Sequence, residues 1–320
     1  MSNIVKNVVF IGVSRRAGQA GLPIFYSLLK ACAQSGITIS ALSRTGSASI
    51  FPAHVPVLRT DYSPASLRDV LRGQDVVISI IGDSGLTLQK TIIDAAIEAN
   101  VKRIIPSEFG CRTYDPEVVA LMPYFAPKRA SIEYLMTKED KISWTAVISG
   151  PFFDEALKNS FHGYEPPDEF YLLDGGDSTY CTTNLHTIGY ALFKILSNKS
   201  NFIDSANQYI TIHSHVLTQN DVLRALEAAT GTTFKKHHIS SEKLYKTALR
   251  NFKARGPEEE KDLLAERDII QCITYGKGQF QGMGDTRDRN DWTERLGLPH
   301  EDLLSDVQGV VDGKRPSRTY

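Results

Sequence analysis

Two hydrophobic rhythms alternate over the first 150 positions. Short unbroken apolar runs, the pattern of strands buried on both faces, are separated by stretches in which apolar residues recur at helical spacing. Residues 8–11 form the first run and end at Gly12. Ile24, Phe25, Leu28, Leu29 and Cys32 then mark one face of a helix. Residues 37–42 and 55–58 read as the second and third strands, and 66–71 as a short helix. Residues 75–81 read as a fourth strand with an apolar core. Residues 88–99 place Ile92, Ala95, Ala96 and Ala99 on one helical face. Residues 103–106 and 144–148 give the fifth and sixth strands, with a helix over 128–136 between them. This order predicts an α/β fold: a Rossmann-type, doubly wound parallel sheet.

The rhythm stops at Gly150-Pro151. Residues 152–177 are richer in aromatics, Pro and Gly. Helices are expected over 187–196, 219–230 and 240–255, and an acidic run at 258–260 opens another, where the helix dipole favours it. Residues 276–284 read as a Gly- and Gln-rich loop. The second half therefore predicts a smaller α+β substrate domain over 153–320, set against a cofactor domain over 1–152.

Composition narrows the function classes. The formal net charge is −1 over 320 residues, which leaves no electrostatic footprint for nucleic acid or an anionic membrane. No apolar run reaches the length of a membrane span. The four cysteines, Cys32, Cys111, Cys181 and Cys272, are scattered and read as reduced thiols. Residues 1–10 lack the features of a signal peptide and run straight into a strand, so a cytoplasmic location is expected. His213 and His215 alternate on an expected strand, but no Cys or carboxylate nearby completes a metal site, and none is expected.

The first strand–helix junction carries the clearest chemistry. Glycines are wanted there for a tight turn, for close approach to a pyrophosphate and for packing of helix on sheet. Gly12, Gly18 and Gly21 occupy that junction. Five residues separate the first two, so the loop is three residues longer than a standard G-x-x-G-x-x-G loop. Ser14, Arg15, Gln19 and Ala20 lie within it as candidate phosphate contacts, with Arg16 beside them, and Ile81 and Gly82 end the fourth strand opposite. After the second strand, where NAD binders carry an acid, the chain reads Ser43-Arg44-Thr45. Arg44 suits the 2′-phosphate of NADP(H).

At this point the motifs resemble a family. Strand one with its glycines, Ser43-Arg44, Asp61-Tyr62-Ser63, the run from Val76 to Gly82, Gln89, Pro106-Ser107-Glu108-Phe109-Gly110, Phe125-x-x-Lys128 and the run from Trp144 to Phe152 occur in one order. Together they resemble the isoflavone reductase-like, or NmrA-like, branch of the atypical short-chain dehydrogenases, with the fungal isoflavone reductase-like oxidoreductases nearest in pattern. The resemblance implies that a segment near 179–215 returns to the cofactor domain. It also implies NADPH-dependent reduction of a small aromatic or alkaloid-like secondary metabolite, with Lys128 as the proton-handling group.

The physical logic of that lysine is direct: hydride delivery builds negative charge on the acceptor, and a nearby ammonium stabilises it and donates a proton. Tyr124 and Lys128 also spell the Y-x-x-x-K dyad of ordinary short-chain dehydrogenases, but Pro127 belongs in a first turn. Tyr124 is therefore expected to precede the helix and point elsewhere. Ser107, Phe109 and Phe152 follow strand ends and, with Lys128, are candidates to contact the cofactor. Phe109, Phe153 and Tyr164 are candidates for the substrate, with Tyr171 and Tyr180 behind them. Two alternatives stay open: an NADP(H)-sensing regulator without turnover, and a cofactor-assisted isomerase or cyclase with no net redox change.

Overall fold

The computed structural model describes residues 4–13, 20–254 and 263–315. Six strands and their crossovers follow the predicted order: β1 (Asn7–Ile11), β2 (Thr38–Arg44), β3 (Val57–Thr60), β4 (Val76–Ser79), β5 (Arg103–Ile105) and β6 (Ser143–Ile148). The helices of this half are α1 (Gly21–Cys32), α2 (Pro64–Leu71), α3 (Gln89–Glu98), α4 (Pro116–Leu121) and α5 (Ala126–Met136). Beyond them come α6 (Phe153–Lys158), β7 (Tyr164–Glu165), β8 (Glu169–Leu173), β9 (Tyr180–Thr182), α7 (Leu185–Ser197), α8 (Lys199–Asp204) and β10 (Gln208–Thr211). The chain ends with β11 (His215–Leu217), α9 (Gln219–Thr230), β12 (Lys235–Ile239), α10 (Ser241–Lys253), α11 (Leu263–Tyr275) and α12 (Leu303–Val311).

The main sheet runs β10-β6-β5-β4-β1-β2-β3, and every pairing in it is parallel. Strand order reverses between β1 and β4, and in open parallel sheets ligands sit outside the carboxyl ends at that switch point. All four β4 residues are buried, as a strand covered on both faces requires. One face carries α1 and α7, whose Phe25, Leu28, Ile188 and Leu192 pack with Phe10 and Ile78. The other carries α2, α3 and α5, with Leu67, Ile92 and Ile132 against Val9, Val77 and Trp144.

α1 and α7 approach closely because position 189 has no side chain. A Cβ there would lie 2.6 Å from the Ile24 carbonyl oxygen. Beside it Ser27 Oγ donates to the His186 carbonyl at 2.5 Å. So a helix from the second half of the chain completes the first layer, and β10 adds the seventh strand beside β6.

The second half builds two further small sheets, β12-β8-β7 and β11-β9. Residues 152–177, which showed no βα rhythm in sequence, hold α6, β7 and β8. Phe170, Leu172, Leu223, Leu226, Ile269 and Phe280 form their core. α9 starts on a capping box between Thr218 and Asp221 and stops at Gly231 in the left-handed region. The acidic run at 258–260 lies outside the described residues.

His213 and His215 do not act as a pair. His213 Nδ1 lies 3.0 Å from Thr293 Oγ1, while His215 Nε2 lies 2.8 Å from the buried Asp306 carboxylate. Among the described residues no cluster of His, Cys, Asp and Glu has the arrangement of a metal site. No described helix is long and apolar enough to cross a membrane.

Candidate active site

β1 delivers the chain to Gly12 at φ +99°, a conformation that L side chains rarely adopt. A Cβ there would lie 1.9 Å from the Ile80 carbonyl oxygen, and one at Gly21 would lie 2.1 Å from the Gly12 carbonyl oxygen. Strand one, the end of strand four and the start of α1 thus meet backbone to backbone. Among the described residues α1 begins at Gly21 with no side-chain cap and no acid in its first turn, an arrangement that suits an anion at its N-terminus. Ser14, Arg15, Gly18 and Gln19, with Arg16, lie outside the described residues. Ala20 is the N-cap of α1.

The ends of β4 and β5 are tied together. Ser107 Oγ donates to the Ile81 carbonyl at 2.8 Å. Gln89 Oε1 accepts from Ser79 Oγ at 3.2 Å and from the Ser107 N–H at 3.4 Å. The chain then turns sharply: the Glu108 N–H reaches the Pro106 carbonyl at 2.8 Å, and Phe109 adopts φ +35°. A bulky residue in that region is strained and persists only where its surroundings hold it. Here the Phe109 N–H donates to the Val147 carbonyl of β6 at 2.8 Å.

Lys128 stands in the first turn of α5, and its Nζ donates to the Glu108 carbonyl at 2.7 Å. The Glu108 side chain is buried and accepts from Thr113 Oγ1. Burial pushes its carboxyl up, against the opposing pull of the Lys128 and Arg129 charges. The strained turn therefore aims a carbonyl at the ammonium and keeps a carboxyl beneath it.

Tyr124 precedes α5, in a 3₁₀ turn over Pro123–Phe125. It does not point elsewhere: it lines the same cavity space as Lys128. The 3₁₀ turn runs directly into α5, so the chain keeps rotating helically and a residue four positions back stays on the same side.

Two adjoining chambers open here. The inner one, of about 320 Å³, is bounded by Ala20, Gly21, Ile80, Ile81, Gly82 and Ser107. The outer one, of about 340 Å³, is bounded by Cys111, Phe125, Pro151, Phe161, Arg267 and Ile270. Both are lined by Phe109, Tyr124, Lys128, Phe152, Glu155 and Asn159. Their size suits small ligands. Burial pushes the Cys111 thiol up to about 11, so it is not an activated thiol.

Phe152 is the N-cap of α6 and faces both chambers. Phe153 does not: it is fully buried, its ring 5.3 Å from that of His162 and 5.1 Å from that of His215. Entry into α6 sends adjacent residues to different sides. Tyr164 also leaves the site, since it sits on β7 with its ring 5.7 Å from Phe234. Tyr171 stacks on His237 with centroids 4.7 Å apart, and Tyr180 is buried with its hydroxyl 3.0 Å from His162 Nδ1. None of these tyrosines lines either chamber.

Arg44 ends β2 and is exposed. Sequence reasoning missed its neighbour Arg59. The β2–β3 register sets Arg59 opposite Ser43, and its Nη1 donates to Ser43 Oγ at 3.1 Å, the Arg44 carbonyl at 3.3 Å and the Ser47 carbonyl at 3.2 Å. Glu155, Asn159 and Arg267 were also missed. The first two lie one turn apart on α6 and just after it, joined by a 3.0 Å hydrogen bond from Asn159 Nδ2 to Glu155 Oε2. The only signal for them was helical spacing after Phe152.

The NmrA-like family pattern matches residues 16–261. The chain is 35% identical over 217 residues to oxidoreductase aprR of Aspergillus flavus, which covers 66% of this chain and 72% of that one. A crystal structure of an isoflavone reductase superposes with a TM-score of 0.72 at 20% identity, covering 95% of this chain and 98% of the other. A binary complex of leucoanthocyanidin reductase with NADPH from Vitis vinifera superposes with a TM-score of 0.69 at 15% identity, covering 96% and 99%. With a match over three quarters of its length, a Rossmann-type sheet and the glycine, Ser-Glu-Phe-Gly and lysine elements in place, the chain belongs to the NmrA-like family.

Proposed function

We propose that this protein is an NADPH-dependent oxidoreductase that reduces a small aromatic or alkaloid-like secondary metabolite, with Lys128 as the general acid. One observation carries the reading: Lys128 Nζ, held at 2.7 Å by the Glu108 carbonyl, lines both the chamber at the glycine turn and the aromatic chamber beyond it. The relative aprR is named an oxidoreductase, and the leucoanthocyanidin reductase structure contains NADPH. Both agree with it.

The residues present fit such a cofactor. Gly12 and Gly21 leave no room for a Cβ, so backbone alone forms that wall, as close approach of a pyrophosphate requires. The uncapped start of α1 offers N–H groups to phosphate. Arg44 would take the 2′-phosphate, and Ile81, Gly82, Ser107, Phe109 and Phe152 would wall the nicotinamide. When bound, NADPH supplies the hydride.

The chain's own residues supply the rest. Phe109 and Phe152 line the junction of the chambers and offer apolar rings to a planar substrate. The Glu108 carbonyl fixes the ammonium of Lys128, which stabilises negative charge on the substrate and delivers the proton. Parallel calorimetric titrations with NADPH, NADP⁺ and NADH test the cofactor. Micromolar NADPH binding with much weaker NADH supports the reading, and no binding of any of the three overturns it. Consumption of NADPH in step with product separates a reductase from an isomerase or a sensor.

A further inference from the structure

The outer chamber is apolar apart from a few groups, and among the described residues that line it all but one of the buried side-chain N and O atoms have partners. Glu155, Asn159 and Tyr124 are engaged, and Lys128 is held by the Glu108 carbonyl. The exception is Arg267, from the first half of α11. Its Nε is buried with no hydrogen-bond partner. Its one carboxylate contact among the described residues is a long 3.5 Å approach of Nη2 to Asp268 Oδ1. A buried donor left unpaired is destabilising. The side chain is 37% exposed and holds no close acceptor among the described residues, which leaves the guanidinium able to pair with one carried by a ligand.

We propose, on the reading of this cavity as the substrate site, that Arg267 binds a carboxylate on an aromatic substrate. Guanidinium recognises carboxylate by two parallel N–H···O bonds in one plane, and a planar anion suits the flat walls offered by Phe109, Phe125, Phe152 and Phe161. Arg267 lines only the chamber away from the glycine turn, whereas Lys128 lines both. The acidic end of the ligand therefore lies against α11 and its reducible bond at the junction, beside Lys128. Glu155, the one carboxylate among the described residues of the outer lining, sits at that junction and disfavours a carboxylate placed there, which favours the same orientation.

The test uses three probes of one shape: cinnamate, cinnamamide and cinnamylamine. Each is titrated into the full chain with and without saturating NADP⁺, for wild type, Arg267→Met, Arg267→Lys and Lys128→Met. The proposal expects cinnamate to bind wild type about tenfold or more tightly than cinnamamide. That ratio should fall to near one in Arg267→Met, recover in part in Arg267→Lys and survive in Lys128→Met. Arg267→Lys keeps the comparison open if the methionine variant fails to fold.

Equal or tighter binding of cinnamamide or cinnamylamine by wild type overturns the proposal, as does absence of cinnamate binding. A ratio that survives in Arg267→Met but vanishes in Lys128→Met also overturns it, assigning the anion to the lysine. NADP⁺ titration of the same samples reports separately on the cofactor. If NADP⁺ fails to bind, that reading falls, while the carboxylate comparison still stands or falls on the free protein.

Discussion

The inner and outer chambers share six lining residues and are built in different ways. Part of the inner wall lies at the glycine turn, where Ala20, Gly21 and Gly82 line it. Gly12, Gly21 and the Ile80 carbonyl meet at separations that exclude a single carbon. The outer wall adds side chains from α6 and α11, among them Ala156, Arg267 and Ile270, which can change without moving the main sheet. A wall of main chain fixes one ligand shape, while a wall of side chains is free to be retuned. On the proposed reading the cofactor side is constrained by main chain and the substrate side is open to change, and substitutions on either side can break that contrast.

The largest effect belongs at the junction. Once a panel of aromatic enones and imines has yielded a compound that the protein reduces, Lys128→Ala should lower its turnover by about 10²- to 10⁴-fold. NADPH affinity in the same variant should stay nearly intact, because the contact of Nζ is to the Glu108 carbonyl. Steady-state NADPH oxidation and calorimetry read the two quantities. Full turnover in Lys128→Ala would remove the lysine from the mechanism.

Next comes the inner wall. Gly12→Ala places a Cβ 1.9 Å from a carbonyl oxygen at a φ of +99°. The chain must shift at the switch point, at a cost of about 1–3 kcal/mol or more. Urea denaturation should show a lower midpoint, and NADPH binding should weaken with it. Ile270→Val, in the outer wall, removes one methylene from a side chain that can be repacked around, and should cost about 0.5–1.5 kcal/mol. It should leave NADPH binding unchanged. Equal damage from both would show that the two walls do not differ as described.

Arg44→Ala should reduce the preference for NADPH over NADH by roughly 10- to 100-fold, the worth of a charge-assisted phosphate contact. Parallel titrations check it. A preference that persists would move the 2′-phosphate to another cation, and Arg59, one strand over and bonded to the Arg44 carbonyl, is the neighbour to test.

What could be read from sequence divides along the same line as the chambers. The alternating runs of β1, β4 and β6 are legible because a parallel sheet buried on both faces demands them. Gly12 and Gly21 are legible because close backbone approach leaves glycine no alternative. Arg59 was not legible: its place beside Ser43 depends on the β2–β3 register, which no local pattern encodes. Phe152 and Phe153 were equivalent in sequence until the start of α6 turned one toward the cavity and the other into the core. Tyr164, expected at the substrate, packs on Phe234 because its two-residue strand pairs with β8. Arg267 lies more than 100 residues from Lys128 and beyond the stretch that the family pattern matches, with no motif to join them; only the packing of α11 brings it to the chamber.

Tyr124→Phe is the smallest of these effects and the most discriminating. Tyr124 and Lys128 line both chambers together, as the partners of a Y-x-x-x-K dyad do. Yet Tyr124 stands in a 3₁₀ turn before α5, and the hydrogen bond that orients Lys128 comes from a main-chain carbonyl 20 residues away. If the ammonium delivers the proton, loss of the phenol hydroxyl leaves both the proton donor and the aromatic wall in place. Turnover should then fall by less than about tenfold, below the range of a lost general acid. A fall as deep as that of Lys128→Ala would make the tyrosine the donor and the lysine its support. The double variant separates the cases further: penalties that multiply mean independent roles, and a double variant no worse than either single one means that the two residues act as a unit.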